Sequence, residues 1–134
     1  MSQENVEVVR RGIDAFNRRD RDATFADYDP DVELRDLVNA PDTPELIRGI
    51  SALRALWDTW EQVFDDFTIE IDEYVDVGDC VLAVTHWRGK SKDSGLAIDQ
   101  KTVDVYEFAD GKIVRVTLSY PNMDAALKAS GLKE

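Results

Sequence analysis

The sequence predicts an α+β domain in which helices lie in the curve of a strongly twisted, antiparallel-type sheet. Three observations predict it. Apolar residues recur at spacings of three and four near the start and again after Gly49, which is the helical period. They recur at a spacing of two from Asp31 to Leu37 and through the second half, which is the strand period. The later strands are joined by turn signals with no helix between them, so helices and strands segregate into layers. At 134 residues the chain suits one domain with one core, residues 1–134, and 43% hydrophobic with 33% charged residues are globular values.

In chain order, Val6, Val9, Ile13 and Phe16 form the apolar stripe of a first helix, capped near Ser2. After Asn17-Arg18-Arg19-Asp20 breaks the pattern, Asp22 is expected to cap a short second helix carrying Phe25 and Tyr28 to Pro30. A strand follows from Asp31 to Leu37, with Val32, Leu34 and Asp36 on one face and Glu33 and Arg35 on the other. A Pro-containing loop from Asn39 to Pro44 leads to Gly49. Beyond it Ile50, Leu53, Trp57, Trp60 and Phe64 mark a long third helix. Four strands are expected at about Phe67 to Val75, Cys80 to Lys90, Ala97 to Phe108 and Lys112 to Tyr120. Gly78 and Asp110-Gly111 suit tight hairpins, and Gly89 to Gly95 a looser connection. After Pro121, Asp124 to Ser130 reads as a helical tail stopped by Gly131. Helices inside a twisted sheet leave a conical cavity whose mouth is a natural ligand site.

Charge and composition exclude several classes of function. With 28 acidic against 16 basic residues the net charge is −12, which repels phosphate backbones and anionic headgroups, so no nucleic acid or membrane partner is expected. The start Met1-Ser2-Gln3-Glu4-Asn5 has neither a basic nor an apolar leader pattern, and a cytoplasmic location is expected. One cysteine, Cys80, and one histidine, His86, make no soft-ligand cluster, so no metal is expected. Cys80 reads as an inert thiol in an apolar strand. No phosphate loop or nucleophile elbow is present, and no cofactor is implied.

Several segments in this order carry a resemblance: Ala15-Phe16-Asn17-Arg18-Arg19-Asp20, Asp31-Val32-Glu33-Leu34, Arg48-Gly49-Ile50, Asp110-Gly111-Lys112-Ile113-Val114, and Ala125-Ala126-Leu127-Lys128-Ala129-Ser130-Gly131-Leu132. Together they resemble the nuclear transport factor 2-like superfamily, and most closely its SnoaL-like proteins, over nearly the whole chain. The resemblance implies a cone-shaped α+β barrel and a small-molecule pocket. It also implies a homodimer formed through the convex sheet face, where Arg115, Thr117 and Ser119 alternate with inward residues. The superfamily includes isomerases, cyclases, dehydratases, epoxide hydrolases and non-enzymatic binders, so fold alone does not name an activity. Set beside ketosteroid isomerase, the general-base aspartate falls on Asp36 and the oxyanion-donating acid on Asp104. The oxyanion-hole tyrosine of helix one falls on Gly12, which has no side chain to donate.

Strand alternation groups Leu82, Val84, His86 and Arg88, then Thr102, Asp104, Tyr106 and Phe108, then Val116, Leu118 and Tyr120. By the resemblance all three sets look into the pocket, joined by Asp36, Trp57 and Trp60. Candidate catalytic residues are therefore Asp36, Asp104 and His86, and candidate ligand-binding residues are Trp57, Trp60, Arg88, Tyr106 and Tyr120. Each has two readings. Asp36 is a general base or a cap for the loop to Pro41. Asp104 is a neutral acid donating to an enolate, or the partner of Arg88 or His86. His86 is an acid-base group or a hydrogen-bonded wall residue, and Arg88 binds a ligand anion or neutralises Asp104. Tyr106 and Tyr120 orient a ligand oxygen or sit at a sheet edge or dimer seam, while Trp57 and Trp60 are core residues or ligand walls. Three functions remain open: a cofactor-free isomerase, lyase or cyclase acting by carboxylate acid-base chemistry on a small cyclic or polyketide-like substrate, a non-catalytic pocket for such a molecule, or a purely structural dimer with a filled core.

Overall fold

A computed structural model describes residues 2–37 and 46–131, the side chain of Ser2 excepted. The cap expected near Ser2, the loop from Asn39 to Pro44 and Leu132 lie outside what is described. Helix α1 spans Ser2–Asn17 and α2 spans Arg21–Thr24. The strand β1 runs Tyr28–Asp36 and a short β2 runs Leu46–Arg48, followed by α3 at Ile50–Val63. Four long strands come next, β3 (Phe64–Asp76), β4 (Cys80–Ser91), β5 (Ala97–Ala109) and β6 (Lys112–Tyr120), and α4 (Met123–Ala129) ends the fold.

The expected order of elements is present, with local corrections. Helix α2 is capped by Asp20, whose carboxylate accepts from the Ala23 N–H at 3.1 Å. Asp22, the expected cap, lies inside the helix and meets Arg54 instead. β2 was not expected. It pairs antiparallel with β1, setting Leu34 opposite Ile47. β1 begins three residues earlier than its apolar alternation, but its burial pattern is the expected one, with Val32, Leu34 and Asp36 buried and Arg35 exposed.

The six strands form one curved, unclosed sheet in the order β2-β1-β6-β5-β4-β3. β3 to β6 are an antiparallel meander, while β1 joins β6 in parallel, with Asp36 level with Leu118. Asp110 and Gly111, both at positive φ, make the two-residue turn between β5 and β6, the geometry that matches strand twist. On the inner face Phe16 of α1 and Leu53, Trp57 and Trp60 of α3 pack against Phe67, Ile69 and Trp87. On the outer face α4 seats Ala126 against Leu82, Val103 and Val105. β4 and β5 are thus covered on both sides around Leu82, Val103 and Val105.

The segment closing α1 has a physical task. The Asn17 amide both donates to the Ile69 carbonyl at 2.8 Å and accepts from the Ile69 N–H at 3.0 Å, and Arg19 donates to the Phe67 carbonyl at 2.7 Å. These bonds satisfy the free backbone edge of β3, which has a neighbour only at β4. Asn17→Ala is expected to lower the unfolding free energy by ~1–3 kcal/mol, the cost of orphaning such groups. Urea denaturation measures it, and an unchanged midpoint would show that water replaces the clasp at no cost.

Candidate functional site

A cavity of ≈ 550 Å³ opens at the end of the sheet where β1 stops. Asp36, the last residue of β1, lies on one side of it beside Leu118 and Ser119 of β6. Trp60, Phe64, Phe67 and Trp87 form an aromatic wall, and Leu96 and Gln100 stand at the far rim. The rings brace one another: Trp60 and Trp87 meet edge to face at 5.7 Å, and Phe67 stacks on Trp87 at 5.8 Å. Asp36 is 7% exposed and is the one carboxylate among the described lining residues. The size and composition are those of a site for an organic molecule.

Behind this wall lies Asp104, fully buried on the inner face of β5. Its Oδ1 accepts from the Ser119 N–H and from the Thr102 hydroxyl, both at 2.9 Å, while Oδ2 is buried with no partner. Thr85, which faces the same carboxylate, donates to the Ala83 carbonyl at 3.0 Å. Burial pushes the Asp104 carboxyl up to about 6, against the lowering effect of the Ser119 and Thr102 bonds and of the nearby Thr85 hydroxyl, and the charge of Asp36 adds to the rise. The neutral-acid reading has a physical basis, but the group does not line the cavity. Neither ion-pair partner weighed for it is within reach.

His86 and Arg88 lie on the opposite face, which corrects the grouping drawn from alternation. Across the β4–β5 ladder Ala83, Thr85 and Trp87 oppose Asp104, Thr102 and Gln100, so the odd-numbered residues of β4 face the helices. His86 stands outside between Asp72 (Nε2 to Oδ2, 3.0 Å) and Asp99 (Nδ1 to Oδ1, 3.1 Å), and Arg88 bonds Glu70 at 2.6 Å. Tyr120 is also outside. A register shift in the β5–β6 ladder, with Ser119 at φ 77°, breaks the alternation after Leu118 and turns Tyr120 towards Val103 and α4.

The deep interior of the cone is filled. Between α1, α3 and the sheet remains ≈ 20 Å³, room for about one water, lined by Gly12, Trp57 and Tyr106 among others. Trp57 therefore belongs to the core, Trp60 to the cavity wall, and Tyr106 to the interior, where burial pushes its hydroxyl well above the usual range. A side chain at Gly12 would meet the Thr24 carbonyl, its Cβ lying 3.4 Å away. The indole N–H groups of Trp57 and Trp60 are both buried without partners.

Sequence reasoning missed Trp87, Phe67, Phe64 and Gln100. Trp87 donates to Thr102 at 3.0 Å, which fixes the ring in the wall. A signal for it was present: His86, Arg88 and Lys90 alternate with Trp87 and Gly89, so the charged parity had to face water. The apolar run Val81 to Val84 hid that signal, because α4 buries the outer residues as well. Among the described residues no three His, Cys, Asp or Glu side chains are grouped to hold a metal ion.

The buried carboxylate gives a test. A carboxyl at about 6 in the fold and at the ordinary 3.8 when unfolded binds its proton more tightly when folded. Its contribution to stability is present below the unfolded value and is lost as pH rises to the folded one. The stability of Asp104→Asn relative to wild type should therefore rise by up to ~3 kcal/mol between about pH 4 and pH 6.5, and then stay level. Chemical denaturation across that range measures it, and a difference independent of pH would refute the assignment.

Comparison with known proteins places the chain. No curated protein matches it in sequence. Among solved structures, a nuclear transport factor 2-like protein of unknown function from Burkholderia pseudomallei aligns over 100% of both chains at 22% identity, with a TM-score of 0.77. A protein of ketosteroid isomerase-like fold from Catenulispora acidiphila, in complex with trimethylamine, aligns over 95% of this chain and 94% of its own at 16% identity and TM-score 0.74. TerC, co-crystallised with polyporic acid, aligns over 94% and 96% at 18% identity and TM-score 0.79. These likenesses establish the cone-shaped α+β fold. The SnoaL-like domain matches residues 9–116, and with that match across most of its length the chain belongs to the SnoaL-like family of the nuclear transport factor 2-like superfamily.

Proposed function

We propose that this domain is a cofactor-free isomerase, lyase or cyclase of small cyclic or polyketide-like molecules, with Asp36 as its general base. The observation that supports this is the Asp36 carboxylate in an otherwise largely apolar and aromatic cavity of ≈ 550 Å³. A carboxylate there takes a proton from carbon next to a carbonyl. The C–H electron pair moves into the enolate, and reprotonation at another carbon, or attack on a second carbonyl, completes an isomerisation or a ring closure. The small molecules bound by structural neighbours, trimethylamine in one and polyporic acid in another, support a small-molecule site of some kind.

A non-catalytic pocket is the second reading. It is favoured by the lack of an acidic donor among the described lining residues: Asp104 is sealed behind the wall, and the resemblance to ketosteroid isomerase sets Gly12 where that family carries a tyrosine. In either case the acidic protein acts in the cytoplasm as a homodimer. α4 covers part of the outer sheet face, and Thr117 is buried, so the open part of a seam is the ion-paired region around His86, Arg88 and Arg115.

In the catalytic reading, Asp36→Asn keeps the fold and loses ~10²- to 10⁴-fold in turnover. The assay screens wild type and variant against enolisable cyclic ketones and polyketide-like aromatics, with melting temperature recorded alongside. A lowered melting temperature with ligand affinity unchanged would assign Asp36 a structural task, and binding without turnover by wild type would favour the second reading.

A further inference from the structure

Among the described residues that line the cavity with Asp36 there is no Lys, Arg or His. Strand alternation sends Arg35, Arg88, Lys101 and Arg115 to the outer face. There Arg88 meets Glu70, and Arg115 meets Glu33 and Glu107. Lys92, on the connection from β4 to β5, lies 3.8 Å from Asp65.

Against this stand two carboxylates on the inner side, Asp36 in the cavity and Asp104 behind it with Oδ2 unpartnered. The phenols Tyr28 and Tyr106, in the interior of the cone, are both held neutral by burial. The aromatic wall has the same preference. Ring faces carry negative potential, and Trp60 stands edge-on to both other rings, at 75° to Phe67 and 85° to Trp87, while Phe67 and Trp87 stack at 27°. A buried carboxylate, clustered indole and phenyl rings and an overall charge of −12 together attract cations and repel anions.

We propose that the cavity takes an organic cation, a cyclic or polyketide-like molecule carrying a protonated tertiary amine or a quaternary ammonium group, held between the Asp36 carboxylate and the aromatic wall of Trp60, Phe67 and Trp87. This rests on the reading of the cavity as the substrate site and narrows the substrate class. It also answers a chemical need. With no donor at Gly12 and Asp104 out of reach, an enolate formed beside Asp36 finds no Lys, Arg or His among the described lining residues, and a substrate ammonium supplies positive charge from within the same molecule.

Choline, its neutral carbon isostere dimethylbutanol and the anion dimethylbutyrate test the charge preference, by titration calorimetry on the intact protein at low salt. Choline is expected to bind at least tenfold more tightly than the neutral isostere, and the anion not at all. Asp36→Asn removes the preference. Choline affinity rises several-fold between about pH 5 and pH 7.5 in wild type as Asp104 ionises, and stays flat in Asp104→Asn. Equal affinity for choline and its isostere in the wild-type protein overturns the inference, whatever the variants do. Loss of ketone turnover in Asp36→Asn without any charge preference overturns it too, and leaves the catalytic reading standing. A choline preference abolished by Asp36→Asn upholds it even where no compound turns over.

Discussion

The buried carboxylate of Asp104 ties the sheet to the cavity. One oxygen accepts the backbone N–H of Ser119, a residue whose positive φ is unfavourable without such a bond, and so pins the irregularity near the end of β6. The same oxygen accepts from Thr102, which in turn accepts from the Trp87 indole. One charged group therefore fixes both the line of β6 beside Asp36 and the tilt of the ring opposite. Its cost is a carboxylate out of water, and the elevated affinity for its proton is the measure of that cost.

The distribution of charge follows from strand geometry. On β4 and β5 every charged side chain but Asp104 has the parity that faces away from the helices, and across β3, β4 and β5 these form a lattice in which His86 and Arg88 share Asp99. The inner face keeps rings, aliphatics and hydroxyls. Filling of the cone by Phe16, Trp57 and Leu53 leaves almost no space at depth, so the usable volume is displaced towards the open end. Depth and mouth of the cone thus have separate tasks, one for stability and one for recognition.

Much of this was legible in the sequence because the relevant signals are local. The stripes of α1 and α3, the alternation of β1 and the Asp110-Gly111 turn each need only neighbouring residues to be read, and Asp36 follows from parity alone. Two things were not legible. β4 is apolar on both faces over Val81 to Val84, so parity could not be decided there, and His86 and Arg88 were assigned with the wrong set. Tyr120 follows a backbone irregularity that depends on a carboxylate fifteen residues away from Ser119, a contact no local pattern announces. β2 is three residues long and owes its existence to the edge of β1.

The parallel pairing of β1 with β6 sets a timetable for the chain. The meander from β3 to β6 grows by adjacent hairpins, each short loop closing soon after its strands exist. β1 is made early but has no ladder partner on its β6 side until residues near Val116 and Leu118 have emerged. During synthesis most of the chain must be completed before that strand is fixed on both edges. Asp36 rides on the end of β1, so the cavity gains its carboxylate wall among the last events of folding. A nascent chain halted before β6 would carry the aromatic wall without the Asp36 carboxylate fixed opposite it.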